Sequence, residues 1–146
     1  MGLNEAMSIS MSGLDAQRLT MELIASNLAN INTTRTITGG PYRRRIAVLS
    51  EKPIISFSEE LSRAEAKIVG KSGGVEVLDV VEDLTPFPKV FKPGHPDADE
   101  QGMVSLPNVN YSAEMVDLIE VQRMYEANIT AFNATTKMMQ DTLQLP

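Results

Sequence analysis

The stretch MVDLIEVQRMYEANITAFNATTKMMQDTL, residues 115–143, decides the architecture. Met115, Leu118, Gln122, Tyr125, Ile129, Phe132, Thr136, Met139 and Leu143 follow one another in steps of three or four. That is an a/d heptad pattern, and only a helix keeps such residues on one face. At 1.5 Å per residue the predicted helix is about 45 Å long. Ser112 is the expected N-cap, because its hydroxyl can accept from a first-turn amide. Pro146 lies beyond the predicted helix.

Working outward, the opposite end of the chain repeats the theme. From Leu3 to about Ile31 there is no Pro, and Met7, Met11, Leu14, Met21, Ala25 and Leu28 share one face. Leu3, Ile24 and Ile31 widen that stripe, while Arg18 falls on it and is expected to lay its stem along the apolar surface. Gly13 costs about 1 kcal/mol against Ala in a helix. Two uses for it are open, a close helix–helix approach or a kink. Asn27, Asn30 and Asn32 cluster at the end of this helix, and Asn128 and Asn133 lie inside the last one. At a helix seam an Asn amide can select register and partner at a cost in stability. Helix termination is the competing reading, and the stronger one for Asn32.

The middle has a different period. Thr38-Gly39-Gly40-Pro41 breaks the chain, and Arg45–Leu49, Val75–Val81 and Lys89–Phe91 then read as strands. Ser72-Gly73-Gly74, Thr85-Pro86-Phe87-Pro88 and Pro93-Gly94-His95-Pro96 separate them. Ser58 to Lys67 is charged and fits either helix or loop. The expected fold class is α+β, with long terminal helices around a small antiparallel β domain. One apolar stripe against one partner helix makes a thin core, and the β segment is small. Either the helices complete their cores on other chains, or both lie on the chain's own sheet.

Composition narrows the chemistry. The chain has 146 residues, a net charge of −6, no Cys, no Trp, one His and nine Met. Lacking Cys, it has no disulfide framework, thiolate zinc site, iron–sulfur cluster or cysteine nucleophile. His95 stands near Asp97, Asp99 and Glu100, which raises a metal or acid/base reading. A catalytic zinc commonly takes two or three His, however, and the spacing is not that of a calcium loop. A Pro- and Gly-shaped turn is the simpler account. Arg43, Arg44 and Arg45 form a short basic run. Nucleic-acid binding needs a broader basic face than this acidic chain offers, so contacts to acidic groups on another subunit are expected instead. Gly39-Gly40 is not followed by the Lys-Ser/Thr of a phosphate loop. No cofactor, small-molecule substrate or catalytic residue is expected. The N-terminus has no basic stretch of a secretory signal, and Ala6 stands where a myristoylation motif wants Ser or Thr. No run reaches the ~20 apolar residues of a membrane span.

Ser12-Gly13-Leu14-Asp15-Ala16-Gln17-Arg18 and Ile24-Ala25-Ser26-Asn27-Leu28-Ala29-Asn30-Ile31-Asn32-Thr33 resemble the N-terminal signature of the bacterial flagellar basal-body rod protein family. Gly39-Gly40-Pro41-Tyr42-Arg43-Arg44, Pro93-Gly94-His95-Pro96-Asp97-Ala98-Asp99, Pro107-Asn108-Val109-Asn110 and Tyr125-Glu126-Ala127-Asn128 resemble its proximal rod members. The resemblance spans the chain. It implies a structural subunit that leaves the cytoplasm unfolded through the flagellar type III export apparatus, without a cleaved signal. It further implies helical polymerisation, with itself and with other proximal and distal rod subunits and the MS-ring/rod adaptor, into the rod that carries torque across the periplasm. On this reading residues 1–35 and 111–146 pair as a coiled coil and residues 36–110 form an outer domain. Met7, Met11, Leu14, Met21 and Leu28 are expected against Leu118, Tyr125, Ile129, Phe132 and Met139. Asn27, Asn30 and Asn128, with Arg43, Arg44 and Arg45, are expected at neighbouring subunits. Thioethers suit such sites because they fill irregular gaps.

Overall fold

The computed structural model describes residues 3–54 and 71–143; the charged stretch Ser58 to Lys67 lies outside the described residues. Helix α1 spans Leu3–Ala29, strand β1 Arg45–Ile54, β2 Lys71–Glu82, β3 Lys89–Phe91, β4 Met103–Ser105, and helix α2 Tyr111–Leu143. The fold class is α+β, with a small antiparallel β region between two helices.

Each helix ends on an asparagine. At the end of α1 the Asn30 side-chain amide donates to the Ser26 carbonyl at 2.9 Å, which also accepts from the Asn30 backbone N–H at 3.1 Å. At the start of α2, Asn110 Oδ1 accepts from the amides of Ser112 (3.0 Å) and Ala113 (3.3 Å). The N-cap is therefore Asn110, and Ser112, expected in that role, lies inside the first turn. Asn110 takes the role because it stands immediately before the first helical residue, Tyr111, where a cap side chain meets the second and third helical amides.

The strands of the first sheet, β1 and β2, run longer than their apolar runs predict. Gly73 and Gly74, expected between elements, belong to β2. Gly74 takes φ +117°, and a Cβ there would lie 2.1 Å from Ser12 Oγ. That hydroxyl accepts from the Val75 amide at 3.1 Å and donates to the Ile9 carbonyl at 2.7 Å, so a glycine lets the strand close on α1. In the second sheet β3 pairs antiparallel with β4, Val90 opposite Val104. At three residues, β4 is too short to show a period in the sequence.

Packing divides the chain into two compact units. One comprises Met1–Arg18, Leu49–Leu78 and Arg123–Pro146; the other comprises Leu19–Val48 and Asp79–Gln122. In the first, α1 and α2 touch where Asn128 donates to Gln17 at 3.1 Å, and a Cβ on Gly13 would lie 2.9 Å from Asn128 Nδ2. Close approach is thus the use Gly13 serves. In the second, Ile24, Tyr42, Val104, Asn27 and Glu114 are buried.

Candidate functional site

In the second unit the tightest construction is polar. Asn27 is 1% exposed and its amide is fully used. Nδ2 donates to the Arg45 carbonyl (3.0 Å) and to Glu114 (3.1 Å). Oδ1 accepts from the Arg45 amide (2.9 Å) and the Tyr42 hydroxyl (3.0 Å). An amide has two donors and two acceptor sites, and all four are filled. The pair of bonds to Arg45 copies what a neighbouring strand would make, so a helix side chain pins the first residue of β1.

Arg44 is held just as closely. Its amide donates to Asn108 Oδ1 (2.8 Å), and its carbonyl accepts from the Asp83 amide (2.8 Å). Its guanidinium donates to Glu114 and, at 2.9 Å, to Asp117, both on α2. The Glu114 side chain is wholly buried while that of Arg44 is 26% exposed. Burial alone would push the guanidinium down. The Glu114 hydrogen bond and the charges of Glu114, Asp117 and Asp83 outweigh it and hold Arg44 above its ordinary value. Asp83 Oδ1 accepts from the Thr85 amide at 2.9 Å, and Thr85 holds this carboxyl below the ordinary range. Asn108 closes the circuit by donating to the Asp83 carbonyl (2.9 Å) and Thr85 Oγ1 (2.8 Å).

The three arginines expected at a subunit boundary thus differ. Arg44 is committed within the chain. Arg43 donates to the Asp83 carbonyl at 3.1 Å and stacks 4.3 Å from the Phe87 ring. Arg45 is exposed, its guanidinium 5.8 Å from the Tyr42 ring. Asn27 is likewise spent inside the chain, and Asn30 serves the end of α1. Asn128, by contrast, is half-buried against Gln17. No signal for this network stands in the sequence beyond the Asn and Arg residues themselves, since Asn27 and Glu114 are 87 positions apart.

The apolar stripes are only partly covered. On α1, Met7, Leu14, Met21 and Leu28 are half-buried, Met11 is 55% exposed, and the buried positions are Ala16, Ile24 and Asn27. On α2, Leu118, Tyr125, Phe132 and Met139 are half-buried, and Ile129 is exposed. Val116, Ile119, Met124 and Met138 also face outward. Among the described residues the buried hydrophobic side chains are Ala16, Ile24, Tyr42 and Val104.

The one histidine sits in a turn, as its neighbours predict. Its amide donates to the Lys92 carbonyl (3.1 Å), its Nδ1 accepts from the Asp97 amide (3.2 Å), and Asp97 also accepts from Thr34 at 2.8 Å. Among the described residues no group of three acidic or histidine side chains could hold a metal ion. No helix of the described residues is long and apolar enough to cross a membrane.

Comparison with known proteins agrees on one family. Residues 7–35 match the model for flagella basal body rod proteins. Residues 100–145 match that for the C-terminal region of the flagellar basal body rod FlgEFG proteins. The flagellar basal-body rod protein FlgC of Bacillus subtilis is 41% identical over 144 residues, covering 96% of this chain and 95% of that protein. The FlgC proteins of Borreliella burgdorferi and Salmonella typhimurium are each 36% identical, over 99% of this chain and 98% of theirs.

Proposed function

Since the chain belongs to the FlgC family of flagellar basal-body rod proteins, we propose that it is a structural subunit of the rod, built to associate rather than to catalyse. The observation that carries this reading is the exposed apolar surface of α1, α2 and the strands, set against four buried hydrophobic side chains among the described residues. Covering Met11, Val116, Ile119 and Met138 by association would take their exposed apolar surface out of water. On this reading the half-covered stripes of α1 and α2 become a core when further helices cover them.

On this reading copies of the chain polymerise helically, with other rod proteins at each end, and transmit torque. Residues 1–35 and 111–146 line the inner wall and residues 36–110 face outward. Met7, Met11, Leu14, Met21 and Leu28 of α1, with Leu118, Tyr125, Ile129, Phe132 and Met139 of α2, form the packing surface. Asn128 joins them at the seam where Gly13 lets α1 and α2 approach. Export through the flagellar type III apparatus and work in the basal body complete this reading.

Deleting residues 1–30 removes α1 while leaving α2 to fold or not as it can. Loss of motility and of co-fractionation with basal bodies is the expected result. A truncated chain that still fractionated with basal bodies and restored swimming would overturn the reading. Protease should cut both ends of the dilute chain and spare them in assembled basal bodies. The competing site at His95 has no support, since its imidazole is used in a turn; His95→Ala should leave motility unchanged.

A further inference from the structure

Three elements of the second unit meet pairwise at the polar network. Asn27 ties α1 to the start of β1 through both backbone groups of Arg45, at 3.0 and 2.9 Å. Glu114 and Asp117 tie α2 to Arg44, the residue before β1. Asn27 and Glu114 tie the two helices directly, at 3.1 Å. Three bodies joined by two links can hinge, whereas a third link closes the triangle and removes that freedom. Each side of this triangle is directional. Hydrogen bonds weaken steeply as they bend, while apolar contacts are non-directional and tolerate sliding. Asn27 and Glu114 are 1% and 0% exposed, so water cannot replace a bond between them that turning would break.

Stability alone does not call for this construction. Apolar side chains of the same shape commonly serve as well as a buried ion pair, or better. What the charged and amide groups add is a fixed angle. Among the described residues of this unit only Ile24, Tyr42 and Val104 are buried hydrophobic side chains, and Tyr42 itself donates to Asn27.

We propose that Asn27, Arg44 and Glu114 are positioning residues for torque transmission. They fix the angle at which the start of β1 stands on α1 and α2, so that load on the helices passes into residues 36–110 instead of bending the joint. The inference rests on the rod-subunit reading.

The test uses Arg44→Met together with Glu114→Gln in the full chain, in flagellated cells. This pair of changes cuts the α2 side of the triangle, leaves no buried charge unpaired and keeps a side-chain oxygen to accept from Asn27. Incorporation into basal bodies and swimming in dilute medium should match the unaltered chain. Rotation should be lost as viscosity is raised to a load at which unaltered cells still turn. Arg44→Lys should lie between the two, because an ammonium can meet Glu114 without the fork that also reaches Asp117. Full rotation of the double variant under high load, or an equal loss at every load with normal incorporation, would overturn the proposal. Should the double variant stay out of basal bodies, Arg44→Lys decides alone: loss confined to high load supports the joint, and normal rotation there refutes it. Failure of the rod-subunit reading is told apart by the unaltered chain, which would then be absent from basal bodies.

Discussion

Replacing Glu114 by Ala attacks the point where the most distant parts of the second unit meet. The Glu114 carboxylate is wholly buried and accepts from both Asn27 and Arg44. Its loss leaves one Asn27 N–H without a partner in a dry site, which costs about 1–3 kcal/mol. Arg44 forfeits a charge-assisted bond of similar worth, yet keeps Asp117 and, at 26% exposure, takes up water, so only part of that cost is felt. The sum is about 3 kcal/mol. The local reporter is the Arg45 amide, whose hydrogen bond to Asn27 depends on that side chain staying in place. If opening governs its exchange, about 3 kcal/mol accelerates it roughly 100-fold. Glu114→Gln retains one acceptor but turns a donor toward either Asn27 or Arg44, so its effect should fall between Ala and the unaltered chain. Hydrogen exchange read by NMR or mass spectrometry over residues 44–46 decides the matter. An acceleration below about fivefold in Glu114→Ala would mean that the network decorates a unit held together by something else.

Gly13→Ala should be nearly neutral, because about 1 kcal/mol of helix propensity is offset by displacing Asn128 from Gln17; adding Asn128→Ala should make the pair of changes net stabilising, read by urea unfolding. Asn110→Ala should cost about 1 kcal/mol and speed exchange of the Ser112 and Ala113 amides, whereas Ser112→Ala should change stability by only a few tenths. Asp83 titrates below its ordinary value of 3.8 in the folded chain, so its stabilising contribution is present above that value. That contribution is lost as pH falls through the depressed value. Acid unfolding should therefore be shallower in Asp83→Asn across that interval, while Arg44, raised in the folded state, should contribute no pH dependence in the same range.

Legible from the amino-acid order were the parts that depend on neighbours three, four or two residues away. Both helices, the β character of the middle and the turn at His95 follow from period and from Pro and Gly, because those preferences are local. The motifs around Ser12–Arg18 and Gly39–Arg44 are likewise local, and they carry the resemblance to the family. Which polar residues are spent inside one chain emerges from the three-dimensional packing alone. Asn27 and Arg44 read as interface residues in the sequence, since nothing near them in the chain supplies four partners for an amide or two carboxylates for a guanidinium. Their partners come from β1 and from α2, up to 87 positions away, and burial makes those bonds obligatory once formed. The helix seam shows the same division. The period of α1 marked an apolar stripe, but the buried positions among the described residues are Ala16, Ile24 and Asn27, and the small Gly13 is what lets Asn128 approach α1.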